Sequence, residues 1–204
     1  YICKVKDEEL YNLLNESKYN EILEKRGEYY YFTFREAKER FFEECDLRIH
    51  KLVSLRVLKY YEKKKVNDIT TCEGIIRNAQ IAQDKVGERK WLLNLYLLLR
   101  ENYLQEEAQK TIIQVLKIDL SPDIDVTIEE LLSDLAETQK MIEITGNLQG
   151  LNFLEESDNK LTDSYEKYLL LGTIKLLSDN ATNAYRYFIK AEKLARTPTQ
   201  KVTA

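Results

Sequence analysis

The 204-residue sequence is poor in the residues that interrupt helices, with only six glycines and two prolines. Glycine and proline are the two least favourable residues in a helix interior, so long helices are allowed over most of the chain. Charged residues make up 32% and hydrophobic residues 44% of the sequence, a balance typical of amphipathic helices with solvated outer faces. The composition therefore predicts an all-α fold and excludes a disordered chain.

The small number of cysteines, the short apolar runs and the low net charge further restrict the class of protein. The three cysteines, Cys3, Cys45 and Cys72, lack CxxC spacing, which predicts reduced thiols and an intracellular protein of the cytoplasm or nucleus. The longest apolar run, Trp91–Leu99, falls well short of the ~20 residues that span a bilayer, so no membrane association is expected. The net charge of −4 gives no general attraction for nucleic acid.

Residues suited to catalysis are also scarce. The single histidine, His50, has Leu47 where a Glu-x-x-His metal pair would need its glutamate. Acidic residues cluster nearby, but such runs are mostly solvated helix faces. The members of this cluster are Glu39, Glu43, Glu44 and Asp46. With no glycine-rich phosphate loop and no nucleophilic relay in view, we expect no enzymatic activity, no cofactor and no metal.

Capping boxes and breaks divide the chain into helices. A hydroxyl or carboxylate followed three residues later by Glu marks helix starts at Thr33, Thr70, Thr127 and Asp163. Breaks such as Val86-Gly87 separate the segments. The sequence predicts helices at about residues 7–25, 33–65, 71–86, 89–104, 106–118, 127–145, 162–177 and 181–195.

The N-terminal third leaves alternatives open. The predicted helix 33–65 is long for a single helix and allows a bend or break between Cys45 and Leu47. The aromatic run Tyr29–Phe34 has strand propensity, but a lone strand has no partner here, so no strand is predicted. We expect a single helical domain, 1–204, or an N-terminal helical subdomain, 1–66, followed by hairpin repeats over 67–204. Because the sequence begins without Met, we expect it to be excised from a longer chain.

The segment 165–198 has the spacing of a helical hairpin repeat. A ring, Leu and Gly stand on its first helix, and Ala, a ring and Ala on its second, in the order Tyr168, Leu171, Gly172, Ala184, Phe188 and Ala191. The segment resembles a tetratricopeptide (TPR) repeat, whose small residues let two helices cross closely while its rings fill the space between hairpins. Lys175 departs from the pattern at the second aromatic position, and Pro198 lies two residues late.

An earlier segment, 89–122, aligns with this repeat when it is shifted by the 76 residues that separate Ala108 from Ala184. The aligned pairs are Leu95 with Leu171, Ile112 with Phe188, Val115 with Ala191 and Pro122 with Pro198. The shift is about two repeat lengths and leaves room for one hairpin between the copies. The sequence therefore favours antiparallel hairpins stacked as a TPR-like right-handed superhelix over a closed four-helix bundle.

The resemblance implies a role in protein binding. In TPR arrays the partner usually lies along the concave face formed by the first helix of each hairpin. Transferred to this chain, that face gives the candidates Lys90, Leu93, Asn94, Leu97, Arg100, Glu166, Leu169, Thr173 and Leu176. We expect a scaffold or adaptor domain of a larger assembly that binds a peptide or helix of a protein partner.

Two alternative functions stay open. Degenerate TPR arrays also form the peptide-sensing domains of bacterial transcription regulators, and a neighbouring helix-turn-helix would indicate that class. Basic residues of the predicted 48–65 helix, with Arg56, Lys59 and Lys63 on one face, would instead contact nucleic-acid phosphates. Because Glu62 interrupts this run, a solvated surface helix is the preferred interpretation, and nucleic acid is not the expected partner.

Overall fold

The computed structural model describes residues 23–26, 29–33, 35, 36, 39 and 47–203. The chain divides into two compact units, Tyr1–Lys65 with Arg77–Gln83, and Val66–Ile76 with Asp84–Ala204. Several predicted features lie outside the described residues, namely the helix over 7–22, Cys3, Cys45, Glu43, Glu44 and Asp46.

The first unit contains a two-stranded antiparallel hairpin, which corrects the prediction that this region holds no strand. Strand β1 (Leu23–Arg26) pairs with β2 (Tyr29–Phe32), with Leu23 opposite Phe32 and Arg26 opposite Tyr29. The strand partner of the aromatic run is Leu23–Arg26. The sequence predicts most of these residues as the end of helix 7–25, which is why no partner strand was expected.

Helix α1 (Leu47–Tyr61) follows in the same unit. It ends four residues earlier than the predicted helix 33–65. The bend or break between Cys45 and Leu47 stays a prediction, because Cys45 and Asp46 lie outside the described residues. Ser54 and Leu58 are buried one turn apart on this helix. Lys51 Nζ donates to Gln83 Oε1 at 3.3 Å, which connects α1 to the other segment of the unit.

The second unit is helical. Helix α2, which gives residues to both units, covers Ile69–Ala82 and is followed by α3 (Lys85–Glu101), α4 (Gln105–Asp119), α5 (Ile128–Thr145), α6 (Asn152–Glu156), the 3-10 turn Asp158–Lys160, α7 (Tyr165–Leu177), α8 (Ala181–Leu194) and α9 (Pro198–Thr203). In this unit α3 packs against α4, α4 against α5, α5 against α7, and α7 against α8. The predicted fold class, helical hairpins stacked in chain order, is confirmed in this unit; the TPR resemblance itself stays a prediction.

The helix starts confirm one of the predicted capping boxes and correct two others. Thr127 and Glu130 form the predicted capping box of α5. The boxes at Thr70 and Asp163 are wrong by one or two positions. Asp68 caps α2 by accepting the Thr71 N–H at 2.7 Å, and Ser164 caps α7.

The predicted break at Val86-Gly87 is also wrong, because both residues lie inside the first turn of α3. The break falls at Gln83 and Asp84, and the Asp84 carboxylate accepts the Gly87 N–H at 2.9 Å. A Cβ atom at this position would overlap the Asp84 carboxyl group, so Gly87 leaves room for the cap.

The turns of the hairpins α3–α4 and α7–α8 match at corresponding positions. The middle residue of each has a left-handed backbone, with φ of 60° at Tyr103 and 56° at Asp179. In each, the next N–H donates at 2.9 Å to the carbonyl five residues earlier, from Leu104 to Leu99 and from Asn180 to Lys175. The register inferred from sequence therefore holds for the backbone of these two turns.

The crossing of α7 and α8 is as close as the sequence suggested. A Cβ atom added at Gly172 would lie 2.5 Å from Cε1 of Phe188, well inside contact distance. Tyr168 stacks on Tyr187 with ring centroids 6.1 Å apart. A buried cluster that includes Leu135, Ile142 and Leu170 surrounds these residues. No helix of the described residues is long and apolar enough to cross a membrane.

Candidate partner-binding groove

Two adjoining cavities of about 560 Å³ and 410 Å³ lie along helix α3 in the second unit. They share four lining residues, Arg89, Leu93, Leu97 and Glu130, so together they form one open groove, here called the α3 groove. One side of the groove is α3, and the other side is the α4–α5 loop and the first half of α5.

Eight residues of helix α3 line the α3 groove, and five of them form a stripe. These five recur at alternating intervals of four and three residues: Val86, Lys90, Leu93, Leu97 and Arg100. This interval is the heptad spacing by which one helix packs along another. The stripe is roughly 21 Å long at 1.5 Å per residue. Val86 is 74% exposed and Leu97 is 53% exposed, so apolar surface remains uncovered along its length.

Two members of the stripe, Lys90 and Arg100, are charged, and charged residues also lie on the opposite side of the groove. Arg100 reaches across the groove to Glu137, with 2.9 Å between its Nη1 and Oε2, and the Tyr96 hydroxyl donates to the same oxygen at 2.7 Å. Burial, followed by this hydrogen bond to Glu137, raises the pKa of Tyr96 to about 12. Lys90 and Asp125, in contrast, have no ion-pair partner in the described part of the chain. The groove thus offers one uncompensated charge of each sign.

A buried ionic junction lies under the wall of the α3 groove. Arg89 of α3 donates through Nε to Asp119 of α4 at 2.6 Å, and through Nη2 to Asp134 of α5 at 2.7 Å. Its Nη1 lies 3.7 Å from Glu130. The exposed fractions of the side chains are 14% for Arg89, 0% for Asp119 and 8% for Asp134. This junction ties three helices together.

The first set of predicted partner-binding residues lies in this groove. Lys90, Asn94 and Leu97 line the larger cavity, and Arg100 lines the smaller. Asn94 also has a structural role, because its Nδ2 donates to the Val66 carbonyl at 3.4 Å. Whether any of these residues contacts a partner stays a prediction.

The second set, on α7, is not brought together in the same way. Leu169 belongs to the buried cluster, which leaves it little surface for a partner. Thr173 is half-buried and accepts a hydrogen bond from Gln139 Nε2 at 3.0 Å. Glu166 is half-buried, while Leu176 is 53% exposed. None of the four lines the α3 groove.

The basic residues proposed for nucleic acid do not share one helix face as predicted. Lys59 is exposed on α1 and Arg56 is half-buried there, but Lys63 lies beyond the end of the helix at Tyr61. The periodicity that grouped them therefore stops after Lys59.

The residues considered for metal binding are placed as follows. His50 is half-buried on α1, and Glu39 accepts a hydrogen bond from Arg35 at 2.6 Å. Among the residues that the structure describes, no group of three or more His, Cys, Asp or Glu side chains is arranged to hold a metal ion.

Sequence reasoning missed the side of the groove opposite α3. Glu130, Asp134 and Glu137 recur at intervals of four and three on α5, a signal of a common face that was visible in the sequence. The loop residues Ile124–Val126 gave no such signal, because no periodicity applies to a loop. Val86 was missed because the start of α3 was placed too late.

Comparisons with known proteins give no relative from which to transfer a function. The chain matches no protein-family model, no curated protein sequence and no solved structure at a significant level. Its own geometry therefore defines it: helical hairpins packed in chain order, with an open groove along α3.

Proposed function

We propose that the second unit is a scaffold or adaptor domain that binds a peptide or amphipathic helix of a protein partner in the α3 groove. The observation that supports this is the stripe on α3, which combines heptad spacing with uncovered apolar surface. Helices that bind in grooves present apolar anchors at intervals of three and four residues, which match such a stripe. An intracellular setting is part of the proposal and accords with the buried thiol of Cys72, which donates to the Trp91 carbonyl at 3.3 Å.

The charges of the α3 groove indicate what the ligand presents. A ligand with aliphatic anchors would cover Leu93 and Leu97 in the centre of the groove. An acidic group beside Lys90 and a basic group beside Asp125 would compensate the charges that lack partners. Such pairs at the rim act on orientation and association rate more than on affinity.

A photo-crosslinking residue placed at Leu97 of the whole chain tests the proposal. The matched control carries the same residue at Ile144, which is 62% exposed on α5 and does not line the groove. We expect crosslinks from position 97 to one segment of a partner, absent from position 144. The crosslinked segment is then synthesised and its affinity measured by fluorescence anisotropy.

Charge substitutions at the same two positions complete the test. Leu97→Glu should weaken binding of the synthetic segment at least about tenfold, because it places a desolvated charge at the centre of the interface. Ile144→Glu should leave the affinity unchanged. Equal affinities for the two variants, or crosslinks only from position 144, would contradict the proposal.

A further inference from the structure

The ionic junction has more carboxyl groups than cations. Arg89 is its one cation among the described residues, while Asp119 from α4 and Asp134 and Glu130 from α5 supply three carboxyl groups. Of the other nearby charges, Lys85 pairs with Glu88 on α3, and Glu137 pairs with Arg100 and Lys140. Lys90 and Asp125 form no ion pair with the junction among the described residues. Glu130 is half exposed, and its carboxylate accepts from the Thr127 N–H and hydroxyl, so water and the capping box stabilise its charge.

Asp119 and Asp134 differ from Glu130 because both are buried and both bind the same nitrogen of Arg89. Nη2 of Arg89 donates to Asp134 Oδ2 at 2.7 Å and to Asp119 Oδ2 at 3.4 Å. Two buried like charges held this close disfavour full ionisation, as in known carboxyl pairs that share a proton. A proton on one member removes this repulsion, and the single guanidinium then has one buried carboxylate to neutralise.

We propose that Asp134 keeps its proton in the native protein at neutral pH, and that loss of this proton weakens the α3–α4–α5 junction under the groove wall. The junction is then a pH-sensitive device built into the fold. It does not depend on the proposed function, because it concerns the stability of the second unit with or without a partner.

The direction of the pH effect follows from the position of Asp134. Burial, and then the hydrogen bond and the charge of Asp119, raise its pKa to about 8 from the ordinary 3.8. A folded-state pKa above the unfolded value means that the native state binds the extra proton. The stabilisation is complete below about pH 4 and is lost as pH rises toward 8. Ordinary carboxylate salt bridges lose stability in the opposite direction, as pH falls.

Urea unfolding of the whole chain between pH 6 and pH 9 tests the proposal. The fluorescence of Trp91, the one tryptophan of the chain, reports on α3. We expect the unfolding equilibrium constant of the wild type to rise at least about tenfold over this range, since one pKa unit corresponds to a factor of ten. Asp134→Asn keeps a donor to Asp119 and an acceptor for Arg89 without a titrating group, so its rise should be at least tenfold smaller.

Asp125→Asn is the matched control, since Asp125 is an exposed carboxylate of the same groove. It should retain the pH dependence of the wild type. The same dependence in Asp134→Asn and the wild type would overturn the proposal.

A second measurement does not rely on a variant that must fold. In wild-type protein labelled with ¹³C at the aspartate carboxyl carbons, one side-chain resonance should titrate above pH 6. Titration of every aspartate below about pH 5 would overturn the proposal.

Discussion

The hairpins α3–α4 and α7–α8 share one backbone turn but use their first helices differently. In α7 the position of Leu169 is in the core, while its counterpart in α3, Leu93, lines the groove. Thr173 bonds to Gln139 of α5, while its counterpart Leu97 stays exposed. A repeated backbone therefore does not produce a repeated surface, because the neighbouring helices determine which positions remain exposed.

The two hairpins also fill their crossings in opposite ways. In α7–α8 the first helix supplies Gly172 and the second supplies the ring of Phe188. At the corresponding positions of α3–α4 the first helix supplies the ring of Tyr96 and the second supplies Ile112, both buried. The aromatic ring lies on the first helix in α3–α4 and on the second in α7–α8, but isoleucine is far larger than glycine, so the α3–α4 pair fills more volume than the α7–α8 pair.

Among the variants that test this difference between the crossings, Gly172→Ala should have the largest effect on the free energy of unfolding. The new methyl group would overlap the Phe188 ring, and the ring is held by the surrounding cluster. We expect a loss of about 2–3 kcal/mol in the free energy of unfolding, the upper range for overpacking. Urea denaturation of the purified chain measures it.

Two further variants separate overlap from a general effect of alanine. Gly74→Ala on α2 has open space around the new Cβ, so it should be neutral or gain about 0.5–1 kcal/mol from lower unfolded-state entropy. Gly172→Ala combined with Phe188→Ile makes this crossing more like the first hairpin and should recover part of the loss. No recovery would mean that the ring is not what Gly172 accommodates.

The second test concerns the buried residue that anchors the first helix of each hairpin. Lys167 of α7 is buried, and its Nζ donates to the carbonyls of Asp158 at 2.9 Å and Leu161 at 3.0 Å. Its counterpart in α3 is the buried ring of Trp91. A buried ammonium thus orders the loop before α7, while an apolar ring occupies the corresponding place in α3.

Lys167→Met should therefore destabilise the protein by about 2 kcal/mol, because it removes hydrogen bonds from a charged donor to buried acceptors. Thermal unfolding measures the loss, and faster amide exchange over residues 158–163 would locate it. Lys175→Met removes a partly exposed pair with Glu155 and should cost no more than about 1 kcal/mol. Equal losses in the two variants would contradict a special role for Lys167.

Much of this organisation was predictable from local sequence. Helical periodicity and the capping box at Thr127 gave the hairpins of the second unit within a few residues. The alignment of Ala108 with Ala184 gave the register, and Gly172 indicated a close crossing of two helices. The ring of Phe188 was expected between hairpins, whereas it lies against Gly172 within the α7–α8 hairpin.

The rest depends on residues far apart in sequence. Arg89 meets Asp119 and Asp134 across 30 and 45 residues, and no local pattern links them. The strand Tyr29–Phe32 could not be predicted because the residues of its partner, Leu23–Arg26, have a composition that favours a helix. Predicting that Leu169 is buried while Leu97 is exposed would have required the position of α5 in the fold.

The smallest expected effect concerns the shared turn itself. Tyr103 and Asp179 both have left-handed backbones, but aspartate tolerates that conformation better than tyrosine does. Tyr103 is 86% exposed, so its side chain adds little packing to offset the strain. Tyr103→Gly should therefore stabilise the protein by about 0.5–1 kcal/mol, whereas Asp179→Gly should gain less.

Tyr103→Ala separates the backbone from the side chain, because alanine removes the ring but keeps the Cβ that causes the strain. It should leave the midpoint of thermal unfolding close to that of the wild type, while Tyr103→Gly raises it. If alanine and glycine raised the midpoint equally, the gain would come from removing the exposed ring. The two turns would then share their hydrogen bonds without sharing the strain that their φ angles indicate.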